Sequence, residues 1–437
     1  MDCYFGLDEP RHHEGGWLML VHACKRWRSV VFSSPRRLDL QLFCTNRRPV
    51  KKLLDIWPPL PIYIYASQAG KSPLQGVTNL RAALKKHDRV WRIEIWAVPN
   101  SLLTSSVAMK PFPALTSLIL RSNDETAPVL PDSFLGGSAP RLREIWLRGI
   151  PFPGIGKLLS SAADLVTLSL LDIPRSGYIS PEAMVVGLSS LARLGTLRLR
   201  FRSPRSRAIP ENRHPSPLKR VVLPSLTRLY FQGESEYVED IMSKIDAPLL
   251  NNMDITFFNQ LLFDTPQLRH FISRTGNFKA SDCAFIQFDD GCVAVEPFRT
   301  LSLRIRCKPS DWQLSSLSQL YNSALYPLPT LEHLEVYNRK YWEDDMENVQ
   351  WLELLRLFPS LKDLVLSNKS LGLVAPALNE LDGESVTEVL PALQNVITQG
   401  PQPSERDHKA IGKFIATRQL LGSPITVQHR DSFDLDR

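Results

Sequence analysis

The chain has 437 residues, 43% of them hydrophobic and 22% charged, which is the composition of a folded globular protein and excludes wholesale disorder. No run of about 18 apolar residues occurs and the polar start lacks a secretory pattern, so we expect an intracellular protein without a membrane-spanning helix. The net charge of +7 is local, because residues 198–220 alone hold eight basic side chains against one acidic side chain.

The first element in chain order is a helix predicted over residues 20–31, where apolar side chains recur at three- and four-residue spacing. Ser34 and Pro35 end it. At C-K-R-W-R, residues 24–28, the segment resembles the second half of an F-box, in which a V-C-x-x-W-R phrase on a late helix precedes a short S-P turn. Ala23 replaces the Val of that phrase, and the L-P-x-E phrase that opens an F-box is absent. The stretch through residues 54–62 looks like the F-box-like proteins expanded in mushroom-forming fungi, in which this block leads into irregular leucine-rich repeats.

This resemblance implies that residues 1–45 form a partial F-box-like helical module and that residues 46–85 link it to the repeats. It also implies a Skp-type adaptor as partner, bound weakly because the first F-box phrase is missing. The adaptor-side residues are Cys24, Arg26, Trp27, Arg28 and Pro35. We expect Trp27 to pack in the small helical core, whereas Arg26 and Arg28 are either a solvated helix face or adaptor contacts.

A repeated phrase, L-x-x-L-x-L with other apolar residues substituting, runs through most of the chain. Its first positions recur 18–33 residues apart, which indicates a stacked array of leucine-rich repeats. The last two apolar positions alternate along a strand and point into the core. The clear copies begin at Leu115, Leu142, Leu165, Leu194, Leu226, Phe298, Leu331 and Leu361, and the weaker ones at Val90, Leu250, Leu268 and Leu393.

Helical patterns lie between these phrases. Ser180 is a predicted N-cap, and in residues 344–358 one helix face is formed by Met346, Val349, Leu352 and Leu355. One strand and one helix per unit predict an α/β fold, an irregular leucine-rich-repeat β/α solenoid over residues 86–400, preceded by the small, partial helical module.

Two insertions and a terminal cap complete the predicted organisation. Residues 202–220, rich in Pro, Ser and Arg, indicate an exposed loop, and residues 283–296 indicate a β-hairpin that turns at Asp290-Gly291. Residues 401–437 form the predicted cap, a helix that turns Ile411, Phe414 and Ile415 inward.

Catalysis is not indicated, because the common hydrolase, metalloprotease and nucleotide-binding phrases are absent. The acidic residues 343–347 are typical of a helix start rather than of a metal site. No C-x-x-C pair occurs and a chain of this length does not need disulfides, so we expect reduced thiols. The cysteines and histidines also lack zinc-site spacing, so we expect no metal, and no cofactor is expected.

The sequence therefore favours a non-catalytic interaction protein of the cytoplasm or nucleus, without membrane contact. By resemblance it would be the substrate-recognition subunit of a cullin-RING (SCF-type) ubiquitin ligase. The alternatives are a leucine-rich-repeat scaffold that has lost adaptor binding, or a nucleic-acid-binding protein that uses residues 198–220.

The target would be an unknown protein, acidic or phosphorylated, held on the strand positions that face away from the core. A competing possibility is that other segments of the chain cover this face. The predicted partner-binding residues are Trp146, Arg148, Arg198, Arg200, Arg228 and Tyr230.

Overall fold

The computed structural model describes residues 23–33, 40–44, 49–57, 59–67, 73–204, 220–258, 263–278, 282–289, 291–298, 300–307, 310–324, 331–338, 348–383, 385–400 and 405–430. The chain divides into two compact units. The first lies within residues 1–202 and 221–226, and the second lies within residues 203–220 and 227–437. Across these described ranges, we find no helix that combines the length and the hydrophobicity needed to cross a membrane.

The first unit is a parallel sheet with helices between its strands. The strands of this sheet are β1 (Leu40–Phe43), β2 (Ile62–Ser67), β3 (Val90–Trp96), β4 (Ser117–Arg121), β5 (Glu144–Arg148), β6 (Thr167–Ile173) and β7 (Thr196–Phe201). The unit also contains the short β8 (Val221–Val222), which is not part of this sheet. From β1 to β7 each strand pairs in parallel with the next one in the chain. The helices are α1 (Lys25–Phe32), α2 (Val50–Ile56), α3 (Pro73–Leu84), α4 (Asn100–Leu103), α5 (Ile155–Ser161) and α6 (Pro181–Leu188).

The register of the first unit follows the repeated phrase. Leu118, Ile145 and Leu168 are partners on adjacent strands, and all three are at most 1% exposed. Because neighbouring positions on a strand point to opposite faces, their flanking residues lie on the other side of the sheet. Ser180 caps α6 as predicted, since its hydroxyl accepts a hydrogen bond from the Ala183 N–H at 3.2 Å.

The second unit is also mainly parallel. Its strands are β9 (Arg228–Gly233), β10 (Ile245–Asp246), β11 (Asn252–Phe257), β12 (Cys283–Asp289), β13 (Cys292–Phe298), β14 (Leu301–Ile305), β15 (His333–Asn338), β16 (Asp363–Ser367), β17 (Asn395–Gln399) and β18 (Thr426–Arg430). The helices are α7 (Ser235–Lys244), α8 (Pro266–Arg274), α9 (Ser310–Ala324), α10 (Asn348–Leu355), α11 (Asn368–Asn379), α12 (Ser385–Glu388) and α13 (Glu405–Leu420).

The predicted hairpin exists, and it belongs to the sheet. β12 and β13 are antiparallel, and β13 is also antiparallel to β14. β14 pairs in parallel with β11, while β12 pairs in parallel with β15. The hairpin therefore inserts two strands between successive repeats of the second unit.

Three features differ from the sequence-based expectation. The phrase at Leu268 is part of helix α8, which begins at Pro266, because Pro suits the first turn of a helix. In α10, Leu352 and Leu355 are buried as predicted, but Val349 is 56% exposed and Trp351 and Leu354 are fully buried, so Val349 lies outside the buried face.

Both units hold strands beyond the expected ones. β1 and β2 lie where the module and the linker were predicted, and β18 follows the cap helix and pairs with β17. Ile411 and Phe414 of the cap helix are buried as predicted. Residues 205–219 of the basic insertion and the acidic residues 343–347 lie outside the described residues. Because parallel strands with buried apolar rows alternate with helices in both units, each unit is an irregular leucine-rich-repeat β/α stack.

Candidate interaction surfaces

Helix α1 carries the residues assigned to the adaptor. Cys24 is its N-cap, and its sulfur accepts a hydrogen bond from the Trp27 N–H at 3.5 Å. The expectation that Trp27 packs in a core is wrong, because its side chain is 44% exposed, and Arg26 and Arg28 are exposed beside it. Pro35 lies outside the described residues. This helix therefore presents a large aromatic surface between two cations.

A second surface lies on the sheet of the first unit, on the face opposite the core. At its N-terminal side, the Glu94 carboxylate accepts hydrogen bonds from Tyr63 Oη (2.7 Å), Arg92 Nη2 (3.0 Å) and Trp96 Nε1 (2.9 Å). Burial tends to raise the pKa of Glu94, but these three donors outweigh it and lower the pKa. The same burial and the adjacent carboxylate raise the pKa of Tyr63. Glu94 is therefore ionised, and its negative charge is stabilised by donors of the same sheet face.

Aromatic side chains continue this surface along the sheet. The rings of Trp96 and Trp146 lie 5.6 Å apart at 49°, within the range of favourable aromatic pairs. The guanidinium of Arg121 lies 5.8 Å from the Trp96 ring, a cation–π contact, and its Nε donates to Asn123 Oδ1 at 3.0 Å. We call Trp96, Arg121 and Trp146 the tryptophan–arginine patch.

Arg148 and Arg200 of the predicted set meet through an aspartate that sequence reasoning missed. The Asp172 carboxylate accepts a hydrogen bond from Arg148 Nε at 2.6 Å and lies 3.0 Å from Arg200 Nε. Asp172 has φ +52°, at a point where the register between β6 and β7 shifts, so a bulge turns its side chain toward both arginines. Burial raises the pKa of Asp172, but the hydrogen bond from Arg148 and the charges of both arginines lower it overall.

The six predicted partner-binding residues are distributed over the two units. Arg198 is half-buried and lies in one register row with Ser169 and Trp146 of the first unit. Arg228 and Tyr230 belong to the second unit, where their register partners are Asn252 and Asp254. The first unit therefore brings together four of the six residues, Trp146, Arg148, Arg198 and Arg200.

The outward face of the second unit holds its own ion pairs. Arg304 Nη1 lies 2.9 Å from Asp254, and Arg304 Nη2 lies 3.8 Å from Glu296. Burial raises the pKa of Asp254 despite the adjacent guanidinium. Further along the sheet, the rings of Phe285 and Tyr337 stack with centroids 6.5 Å apart.

Metal-ligating side chains meet at one point of this second face. Asp282, Cys283 and His333 place a carboxylate oxygen, a thiol sulfur and an imidazole nitrogen all within 4.8 Å of one another. Cys283 and His333 are 50 residues apart in sequence, so no short sequence motif predicted this cluster.

No family model matches the chain, and no curated protein matches it. A solved structure that it resembles is the crystal structure of a TLR13–ssRNA13 complex, with 13% sequence identity and a TM-score of 0.31. The likeness covers 90% of this chain and 49% of that one, so the chain spans about half the length of the protein it matches. The leucine-rich-repeat assignment rests on the strands, register and burial described above.

Proposed function

We propose that the chain is a non-catalytic protein-interaction module whose target binds the outward sheet face of the first unit. The observation that carries the proposal is the tryptophan–arginine patch next to the arginine pair held by Asp172. Trp and Arg are the residue types that contribute most of the binding energy in protein interfaces. Leucine-rich-repeat stacks present such side chains from a rigid sheet, which limits the entropy lost on binding.

The charges on this face favour an acidic or phosphorylated target segment. Arg92 is matched by Glu94, but Arg148 and Arg200 share the single carboxylate of Asp172. The contacts of Arg121 described above are with a tryptophan ring and an amide oxygen, neither of which neutralises its charge. Guanidinium groups bind carboxylate and phosphate oxygens in bidentate geometry, which suits such a segment.

The finer part of the proposal rests on resemblance to F-box proteins. In it, α1 contacts a Skp-type adaptor, and the chain is the substrate-recognition subunit of a cullin-RING ubiquitin ligase. The exposure of Trp27 supports a contact with a partner, because a large aromatic side chain gains most when it becomes buried on binding. Catalysis would then be by proximity, with target lysines brought to a ubiquitin-charged enzyme.

The target site is tested with the full chain and an array of acidic, phosphorylated and matched neutral peptides. We expect acidic or phosphorylated peptides to bind best, and Trp146→Ala to weaken the best one by about 30-fold, as for an interface hot spot of ~2 kcal/mol. Arg193→Gln is the control, because Arg193 makes a solvent-exposed ion pair elsewhere in the first unit. Equal binding by folded Trp146→Ala protein, or a preference for neutral peptides, contradicts the proposed site.

The adaptor contact is tested separately by pull-down with a purified Skp-type adaptor. We expect Trp27→Ala to reduce the amount of chain captured by the adaptor. Val30→Ala, a change at another exposed residue of α1, should reduce it less. Absence of capture by the unmodified chain would favour the alternative of a scaffold without ubiquitin-ligase function. Capture of nucleic acid that falls steeply with salt would instead favour the role of the basic stretch 198–220.

A further inference from the structure

The second unit carries a row of polar side chains that runs across adjacent parallel strands. Cys283 of β12 is in register with His333 of β15, His333 with Asp363 of β16, and Asp363 with Asn395 of β17. Strands lie about 4.8 Å apart and in-register side chains point to the same face, so these four meet in sequence across the sheet. The next position on each strand is fully buried in the core, at Ala284, Leu334, Leu364 and Val396.

We propose that Asp282, Cys283 and His333 bind a zinc ion, with water in the fourth position. The proposal is independent of the interaction function above. The three donor atoms already lie within 4.8 Å of one another. Tetrahedral zinc with bonds of ~2.3 Å to sulfur and ~2.0 Å to nitrogen needs its donor atoms roughly 3.5 Å apart. The Cys283 sulfur and Asp282 Oδ1 already lie 3.4 Å apart.

The backbone holds Asp282 beside the histidine. Its carbonyl oxygen accepts hydrogen bonds from the N–H groups of Glu332 (2.8 Å) and His333 (2.7 Å), at the start of β15. The Cys283 thiol donates to Asp282 Oδ1 at 3.4 Å. Metal binding would replace this hydrogen bond by two metal–ligand bonds, and the thiol proton would pass to solvent.

An independent observation comes from the other side of the imidazole. His333 Nδ1 lies 2.6 Å from Asp363 Oδ2, and Asp363 Oδ1 accepts a hydrogen bond from Asn395 Nδ2 at 2.6 Å. A carboxylate behind a histidine fixes the tautomer and orientation that a metal ligand needs, and it is the usual partner of zinc-bound histidines. Since Asp363 occupies Nδ1, Nε2 is the nitrogen that would coordinate the metal.

The donor set selects the metal. A thiolate and an imidazole disfavour Mg²⁺ and Ca²⁺, which prefer oxygen ligands, and favour Zn²⁺ and the spectroscopic substitute Co²⁺. Cys283 and His333 are only partly buried and Asp282 is exposed, so an ion has access from solvent. Three protein ligands leave one position open, as in zinc sites that exchange water or a bound group.

The test is a Co²⁺ titration of the full chain after removal of metal with a chelator. We expect one equivalent to give a thiolate-to-cobalt charge-transfer band, and Zn²⁺ to abolish it by displacement. Cys283→Ser should lose the band, and Cys292→Ser should keep it, because Cys292 is a similarly half-buried thiol on the neighbouring strand. Asp363→Asn should keep the band but weaken affinity by ~10–100-fold.

Folding is checked by circular dichroism and thermal melting without metal, and His333→Gln provides a second ligand variant if Cys283→Ser is unstable. Zn²⁺ should raise the melting temperature of unmodified protein and of Cys292→Ser, but not of either ligand variant. Unmodified protein that shows no band overturns the proposal, and so does a folded ligand variant that keeps the band.

Discussion

Replacing Asp172 by Asn tests whether one carboxylate organises the arginines of the first unit. The substitution removes the charge but keeps the size of the side chain, and Asn tolerates the positive φ of +52° found there. Arg148 and Arg200 would then face each other without the anion that now lies 2.6 Å and 3.0 Å from their Nε atoms. We expect a moderate loss of stability together with stronger binding of acidic peptides.

The magnitude follows from the exposure of the two pairs. The side chains of Arg148 and Arg200 are 36% and 35% exposed, and that of Asp172 is 26% exposed, so solvent screens each pair to ~0.3–1 kcal/mol. Loss of both pairs should therefore cost about 1 kcal/mol. For a unit of about 200 residues, this corresponds to a fall in melting temperature of roughly 2–4 °C.

The effect should depend on pH in a defined direction. The pKa of Asp172 is lowered in the folded protein, so the unfolded chain takes up the proton first as pH falls. The stabilisation is therefore fully present above the ordinary value of ~3.9 and is lost as pH falls through the folded pKa. The difference between Asp172→Asn and unmodified protein should be constant near neutral pH and shrink below about pH 4.

Differential scanning calorimetry at neutral and acidic pH measures the loss of stability and its dependence on pH. Asp164→Asn is the matched control, because Asp164 pairs with Arg193 at 2.8 Å with both side chains largely in solvent. We expect no measurable change for the control. An unchanged melting temperature of Asp172→Asn at neutral pH, or a difference that grows with acidification, would refute the reasoning.

Other substitutions test the remaining structural statements. Trp27→Ala should change the unfolding free energy by less than ~0.5 kcal/mol in a urea titration, because the ring is exposed. Glu239→Ala should cost ~2 kcal/mol and speed hydrogen exchange at the start of α8, because its buried carboxylate accepts two backbone N–H groups there at 2.8 Å. Arg418→Met should cost ~2–3 kcal/mol and loosen residues 385–393, whose carbonyls its buried guanidinium binds. Cys44 should resist thiol reagents until unfolding, since burial raises its pKa to about 12, whereas exposed Cys24 should label in the native state.

The strands were predictable because each repeats a strong local signal. The phrase at Leu165 places Leu168 and Leu170 in β6, and both are buried as expected. Alternation of apolar residues along a strand does not depend on which strand lies beside it, so each phrase could be located by itself. The phrase at Leu268 failed because two apolar residues three positions apart fit a helix as well as a strand, and Pro266 decided for the helix.

The surface contacts were less predictable because they depend on register. Trp146, Arg148 and Arg200 could be assigned to the outward face, but the bulge that turns Asp172 toward them is a register shift between β6 and β7. The sequence of a strand does not directly show where its pairing register with the next strand will shift. The exposure of Trp27 was missed for a related reason, since a helix reveals its apolar face but not whether another element covers it.

The polar row of Cys283, His333, Asp363 and Asn395 depends on a strand order that differs from the order of the strands along the chain. If repeats simply followed one another, β14 would lie beside β15, and Cys283 would be remote from His333. The antiparallel return of β13 instead brings β12 next to β15. The register there is firmly set, because a slip of one residue would exchange the buried core row with the polar row. The polar row is therefore positioned by the core residues behind it, which is how side chains distant in sequence can be held closely enough to bind a metal.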